Sequence, residues 1–150
     1  MKYRVWCKYT NSWVQNDCFM APTGELYIHT HNACVCLPPP YYDHILEIDT
    51  GLTDRNDEPI YVGDIVRYED GNCGYGRLRD YYLDGYIYEV ISPDNYFYQL
   101  YYYFNTNNKT SVEKIGNIHE TKITDAIRYW IDDEFREKFQ KEHGKPGQSW

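Results

Sequence analysis

The sequence predicts a mainly antiparallel β fold that ends in one α-helix. Short runs of alternating apolar and polar residues are separated by Gly, Pro, Asn and Asp, which is the pattern of strands and turns. After residue 124 the apolar residues recur at steps of three and four, the period of a helix face. A chain of 150 residues with 42% apolar and 18% aromatic residues can form one folded domain with a core.

Hairpins are predicted in the first third of the chain. Residues 2–7 alternate as a half-buried strand, and a turn at residues 11–12 leads into a second strand at Trp13. A turn at residues 22–24 precedes a strand at residues 25–30. The next strand, at residues 34–37, ends at three prolines, because proline cannot donate to a ladder of hydrogen bonds.

The hairpin between the last two of these strands contains two histidines and two cysteines. If Asn32 and Ala33 form a two-residue turn, position 31 lies opposite 34 and position 29 opposite 36, so that four side chains share one face. Such a cluster would be a candidate zinc site, formed by His29, His31, Cys34 and Cys36. The alternative is a plain hairpin with small apolar thiols and exposed imidazoles, and we expect no cofactor.

Residues 50–66, TGLTDRNDEPIYVGDIV, predict a turn-rich loop that leads into a strand. We name them the signature segment. Gly51 allows a backbone conformation that other residues avoid. Gly63 and Asp64 predict a corner at which the sheet bends and a carboxylate caps backbone amides. The acids Asp54, Asp57 and Glu58 lie in the loop, where we expect them to be solvated and to be those least needed for folding.

The signature segment resembles the central motif of the YopX-like proteins of bacteriophages and prophages. Residues 2–6 resemble that family's opening strand, and residues 115–120 resemble its closing element, so the resemblance covers about residues 1–123. It implies a small SH3-like β-barrel or roll with β-hairpin additions. The positions that carry the motif are Gly51, Tyr61, Gly63, Asp64, Gly116 and Asn117. The family consists of phage accessory proteins, and it implies no activity that can be transferred.

We expect residues 1–123 to form the β domain, residues 124–143 an amphipathic helix packed on it, and residues 144–150 a flexible tail. Thr124 is the predicted N-cap, and Gly144 follows the last helical residue. The apolar stripe of the helix consists of Ile127, Trp130, Ile131, Phe135 and Phe139. Packing on the β domain is one way to cover this stripe, and self-association or a partner's helix is the other.

Residues 77–104 contain nine of the 18 tyrosines, in two or three predicted strands. Alternate positions of a strand point to opposite faces, so the core cannot hold every ring and some tyrosines are exposed. The cluster is either ordinary β propensity or an aromatic recognition surface. The tyrosines that we single out as partner-binding candidates are Tyr81, Tyr82, Tyr101 and Tyr102.

The charge of the chain is concentrated in one segment. The net charge is −8, and residues 41–70 hold nine acids against two arginines, which gives this segment −7. Binding to a nucleic-acid backbone normally needs a basic footprint, so direct nucleic-acid binding is disfavoured. The sequence has no run of about 20 apolar residues, and five irregularly spaced cysteines suit reduced thiols. We therefore expect a cytoplasmic protein, and the resemblance implies that its setting is a bacterial host, during phage infection or from a prophage.

The sequence predicts a binding protein rather than an enzyme, because none of the five histidines is paired with a recognisable nucleophile. We expect a phage accessory protein that binds a host or phage protein through Asp54, Asp57, Glu58 and the tyrosines. By imitating phosphates and bases it would occupy a basic groove and inhibit a host-defence or nucleic-acid-handling factor. The alternative is a small single-strand nucleic-acid or nucleotide binder that stacks bases on exposed tyrosines. The sequence leaves open whether the chain also forms homo-oligomers.

Overall fold

The computed structural model describes residues 2–69, 86–92 and 112–144. The predicted fold class is confirmed, since the chain is mainly β with a C-terminal helical region, and a sheet curls into half a barrel. The SH3-like form of that barrel stays a prediction. The chain consists of two compact units, Met1–Asp49 and Thr50–Trp150. In the described ranges, no helix has both the length and the apolar character needed to cross a membrane.

The first unit contains two sheets. One has β1 (Tyr3–Cys7) between β2 (Ser12–Trp13) and the first part of β6 (His44–Thr53), with Val5 opposite Leu46. The other has β4 (Leu26–His29) between β3 (Cys18–Met20) and β5 (Cys34–Leu37), all antiparallel. The hairpins predicted for this part of the chain are therefore present. We name the second of these sheets the β3–β4–β5 sheet.

The core of the first unit follows from the alternation of strand residues. Leu26 and Ile28 on β4 are buried with Val5 of β1, while Tyr27 and His29 point to the opposite face of the β3–β4–β5 sheet. Partly buried side chains complete this core: Tyr3, Val14, Cys18, Met20, Leu37, Tyr41 and Leu46.

The second unit is built around the signature segment. The remainder of β6 pairs with β7 (Pro59–Tyr61), and β8 (Asp64–Glu69) lies between β9 (Tyr86–Val90) and β10 (Glu113–Asn117). The ladder between β8 and β10 contains an irregularity between Lys114 and Gly116. One buried apolar cluster of this part consists of Ile60, Val62, Val66, Ile91 and Val112.

The C-terminal helical region consists of two helices, α1 (Asp125–Ile131) and α2 (Asp133–His143). Thr124 caps α1, as predicted. Asp132 interrupts the single helix that we expected, because it has an extended backbone and its carboxylate accepts a hydrogen bond from the Phe135 amide at 3.1 Å. This bond, with a smaller effect from Arg128, lowers the pKa of Asp132. Two successive helix starts thus lie inside one continuous apolar stripe.

The apolar stripe packs on the second unit's strands. Ile127 and Phe139 are buried in a cluster with Ile65 and Tyr88, and Tyr86 and Val90 pack against it. The other stripe residues, Trp130, Ile131 and Phe135, are partly buried on the same cluster. The predicted boundary at residue 123 stays a prediction, and residues 145–150 of the predicted tail lie outside the described residues.

Candidate binding surfaces

The buried Asp54 carboxylate fixes the backbone of the loop in the signature segment. Its side chain is 0% exposed. One carboxylate oxygen accepts hydrogen bonds from the amides of Asn56 and Glu58 at 2.9 and 3.0 Å, and the other accepts from the Lys114 amide at 2.9 Å. Asp54 is therefore not the solvated turn carboxylate that the sequence predicts, and it cannot present its charge to a partner.

Asp64 forms the second buried carboxylate site of the segment. Gly63 has φ of 92°, and the Asp64 carboxylate accepts a hydrogen bond from the Tyr61 amide at 2.8 Å, so the predicted corner is present. The Asn117 amide group donates to Asp64 at 3.4 Å, and the Lys114 ammonium lies 3.5 Å from it. A cation and an amide thus compensate a carboxylate that is 0% exposed.

Gly116 leaves no room for a side chain. A Cβ atom at this position would lie 1.7 Å from Thr121 Oγ1 and 2.9 Å from Thr121 Cβ. The Thr121 hydroxyl accepts a hydrogen bond from the Asn117 amide at 2.9 Å, so it is not free to move away. Gly51, with φ of 82°, has open space instead. The motif positions therefore lie in an interior network or in backbone conformations that need glycine.

Only part of the acidic segment is accessible. Among the seven of its nine acids whose burial the structure describes, three are buried, namely Glu47, Asp54 and Asp64. Asp43, Asp57 and Glu58 are exposed, and the Glu58 side chain is 61% exposed with the Lys114 ammonium 4.0 Å away. Arg55 lies beside them but forms an ion pair with Glu113 at 2.8 Å. Of the three loop acids that we expected to be solvated, Asp54 is buried, and Asp57 and Glu58 remain as the exposed charges of the loop.

The four tyrosines that we singled out, Tyr81, Tyr82, Tyr101 and Tyr102, lie outside the described residues. From the same region the structure describes Tyr86 and Tyr88. Tyr88 is buried, and the Arg67 guanidinium lies 4.3 Å from the centre of the Tyr86 ring. The Tyr88 ring lies in the interior, and the Tyr86 ring lies at its edge.

The register of the histidine and cysteine hairpin differs from the predicted one. His29 lies opposite Cys34, and Tyr27 lies opposite Cys36, so the predicted pairs 31–34 and 29–36 are wrong. The turn is one residue earlier because Thr30 pairs with Ala33 through both its amide and its hydroxyl. His31 consequently lies in the turn. Among the residues with described positions, no group of three or more His, Cys, Asp or Glu could hold a metal ion.

The β3–β4–β5 sheet exposes a row of aromatic rings on the face opposite the core. Phe19 of β3 lies opposite Tyr27 of β4, with ring centroids 4.9 Å apart and planes within 7°. The Phe19 and His29 rings are 5.3 Å apart, and Phe19 is 44% exposed. We name this surface the outer face; it is formed by Phe19, Tyr27, His29, Cys34 and Cys36.

The outer face is almost uncharged, since Glu25 is the only Asp, Glu, Lys or Arg among residues 18–37. A hydrogen bond with the Cys36 thiol raises the pKa of Tyr27. This surface was not predicted, because the aromatic candidates were chosen from the tyrosine-rich residues 77–104. The available signal was the alternation on β4, where Leu26 and Ile28 interleave with Tyr27 and His29.

Comparison with known proteins identifies the family of the chain. No match was found among curated proteins or among solved structures. A family model described as YopX protein matches residues 2–122. This range includes the opening strand, the signature segment and the closing element with Gly116 and Asn117. The chain therefore belongs to the YopX family.

Proposed function

We propose that this protein is a non-catalytic phage accessory protein that binds a protein partner in the cytoplasm of the bacterial host. The outer face is the observation that carries the proposal. Phe19 and Tyr27 form a stack of rings that is open to solvent on a nearly uncharged sheet. The centres of protein interfaces are rich in aromatic residues and poor in charges, and such residues contribute most of the binding free energy.

The exposed acids of the signature segment supply a second, separate contact. Asp57 and Glu58 project from a loop whose backbone is fixed by the buried Asp54 carboxylate. Together with a net charge of −8, they favour a partner with a basic surface, such as a groove that binds nucleic acid. Occupation of that groove would inhibit a host-defence or nucleic-acid-handling factor.

The alternative function is binding of a single-stranded nucleic acid or nucleotide on the same rings. Phe19, Tyr27 and His29 offer ring surfaces on which bases can stack. The objection is electrostatic, because backbone binding needs a basic groove and residues 18–37 contain no Lys or Arg.

Affinity purification tests the proposal. Tagged wild-type protein, the Phe19→Ala/Tyr27→Ala variant and the control Tyr9→Ala are used to capture proteins from host lysate at low salt, with identification by mass spectrometry. Tyr9 is 86% exposed in the turn after β1, so its removal also deletes an exposed ring. We expect the control to retain a partner that the double variant loses by about tenfold or more. Equal recovery by a folded double variant would contradict the proposal.

A fluorescence titration with short single-stranded oligonucleotides separates the two functions. Protein binding through the outer face predicts no saturable signal at physiological salt. A saturable signal that disappears in the Phe19→Ala/Tyr27→Ala variant but not in Tyr9→Ala would favour the nucleic-acid alternative.

A further inference from the structure

Strand β5 forms an open edge of the β3–β4–β5 sheet. Thr30 and Ala33 form a hydrogen-bonded pair, with the Thr30 amide 2.8 Å from the Ala33 carbonyl. Hydrogen-bonded and non-hydrogen-bonded pairs alternate in an antiparallel ladder, so Val35 and Leu37 bond to β4. Cys34 and Cys36 therefore direct their N–H and C=O groups away from β4. Within the described part of the chain, no strand pairs with that side.

This edge lacks the features by which proteins usually prevent strand pairing. Residues 30–42 contain no Asp, Glu, Lys or Arg. Exposed edges are normally protected by charges, bulges or internal prolines, whereas here the first proline, Pro38, comes after the strand. Val35 lies opposite Ile28, on the core side of the sheet, and is still 42% exposed, since β5 is the edge strand.

We propose that a second copy of this chain pairs with β5, antiparallel and across a two-fold axis at Val35. In this register Cys34 of each copy lies opposite Cys36 of the other. The two outward-facing residues of each strand are equally spaced about Val35, so every free N–H finds a free C=O and four intermolecular hydrogen bonds form. Pro38 lacks an N–H and ends the ladder at both sides.

The same strand is the best occupant of this edge for two reasons. Two uncharged strands meet without like-charge repulsion, and an isologous contact needs one self-complementary surface. In addition, the two Val35 side chains form a non-hydrogen-bonded pair, the arrangement in which side chains approach most closely, and each covers the other. The pairing would also join two outer faces into one surface, in which the edge cysteines of both copies lie between the two groups of aromatic rings.

The pairing is independent of the proposed function, and it can be measured with purified protein. The shared ladder is short, so we expect weak association, with a Kd on the order of 100 µM. Sedimentation over a concentration series should give a monomer–dimer equilibrium for wild type. The control His31→Lys changes an exposed turn residue and should dimerise like wild type. Val35→Lys should stay monomeric. Wild type that stays monomeric to about 1 mM would overturn the proposal, even if the edge accepts an extended peptide of another protein.

A cross-linking experiment tests the register without altering Val35. In a background with Cys7, Cys18 and Cys73 replaced by Ala, the variants Cys34→Ser and Cys36→Ser each retain one edge thiol. Dibromobimane joins two thiols within a few ångströms, forming two S–C bonds and releasing two bromide ions and two protons. We expect covalent dimers in the mixture of the two variants and few in either alone. Equal cross-linking in one variant alone, or none in the mixture of folded variants, would overturn this register.

Discussion

The signature segment and the β3–β4–β5 sheet use polar and aromatic side chains in opposite ways. In the signature segment, the conspicuous carboxylates of Asp54 and Asp64 turn inward and are 0% exposed. In the β3–β4–β5 sheet, aromatic rings point outward, although the strands of this sheet carry no distinctive motif. The motif by which the chain resembles its family therefore describes how the fold is held. The exposed aromatic rings lie on a strand pattern that the motif does not include.

The difference has a simple physical origin. A loop that passes beside a sheet leaves backbone amides without partners, and a buried carboxylate can accept several of them at once. Asp54 does so for three amides, one of which comes from β10. A sheet with one buried face has no such demand on its other face, so the residues there are free to serve binding.

The largest expected effect is that of Asp54→Ala, which should destabilise the protein by about 4 kcal/mol, because three backbone amides lose their shared charged acceptor. Asp57→Asn is the matched control. Asp57 is exposed, and asparagine tolerates its φ of 62°, so we expect a change within about 0.5 kcal/mol. Urea unfolding of both variants measures the difference. Similar midpoints for Asp54→Ala and wild type would show that the interior carboxylate is dispensable.

Gly116→Ala should destabilise the protein by about 3 kcal/mol, because the new methyl group overlaps Thr121. Gly51→Ala provides the comparison, since it meets no atom within 4 Å and carries only the strain of a positive φ, about 1–2 kcal/mol. Thermal unfolding of the two variants separates steric overlap from backbone strain. A smaller loss for Gly116→Ala than for Gly51→Ala would contradict the close packing at Thr121.

The two faces of β4 give the third comparison. Ile28→Ala should reduce the free energy of unfolding by about 2–3 kcal/mol, because the side chain fills the first unit's core. Tyr27→Ala, one residue earlier, should reduce it by about 1 kcal/mol or less, the size expected for one stacked pair of rings. Denaturant titrations of both variants provide the measurement. A loss for Tyr27→Ala as large as that for Ile28→Ala would assign the outer face to folding rather than binding.

The parts of the fold that depend on neighbouring residues could be predicted. Gly63 and Asp64 form a corner because the positive φ and the capped amide of Tyr61 are both local. The burial of Asp54 could not be predicted, since its partner Lys114 is 60 residues away in the sequence. The predicted hairpin register was wrong because of one local detail. Thr30 pairs with Ala33, which moves the turn by one residue.

The helix break and the outer face were missed for different reasons. Asp132 is followed by acidic residues, as at a helix N-terminus, but the uninterrupted apolar stripe concealed this second start. On β4, the alternation of apolar and aromatic residues predicts two faces. It does not reveal which one is covered, because that depends on β1, which is distant in the sequence. The helix break is therefore set by a local cap, whereas tertiary packing decides which face of β4 is covered.

The smallest expected effect concerns the exposed charges of the signature segment. Asp57→Asn/Glu58→Gln should leave the free energy of unfolding within about 0.5 kcal/mol of wild type, because both side chains are exposed. With the captured partner, the double variant should slow association and flatten its salt dependence, while dissociation stays unchanged, since long-range attraction acts on encounter. Surface plasmon resonance at several salt concentrations measures these rates.

A control with the same change in net charge makes this prediction specific. Glu137→Gln/Glu142→Gln removes two exposed acids from α2 and leaves the loop intact. If the loop itself faces a basic partner, the α2 variant should associate at nearly the wild-type rate, because charges beyond about 10 Å are screened at 0.1 M salt. If both variants slow association equally, only the net charge matters, and the signature segment acts in the fold alone. The partner would then bind through the outer face without help from the acidic loop.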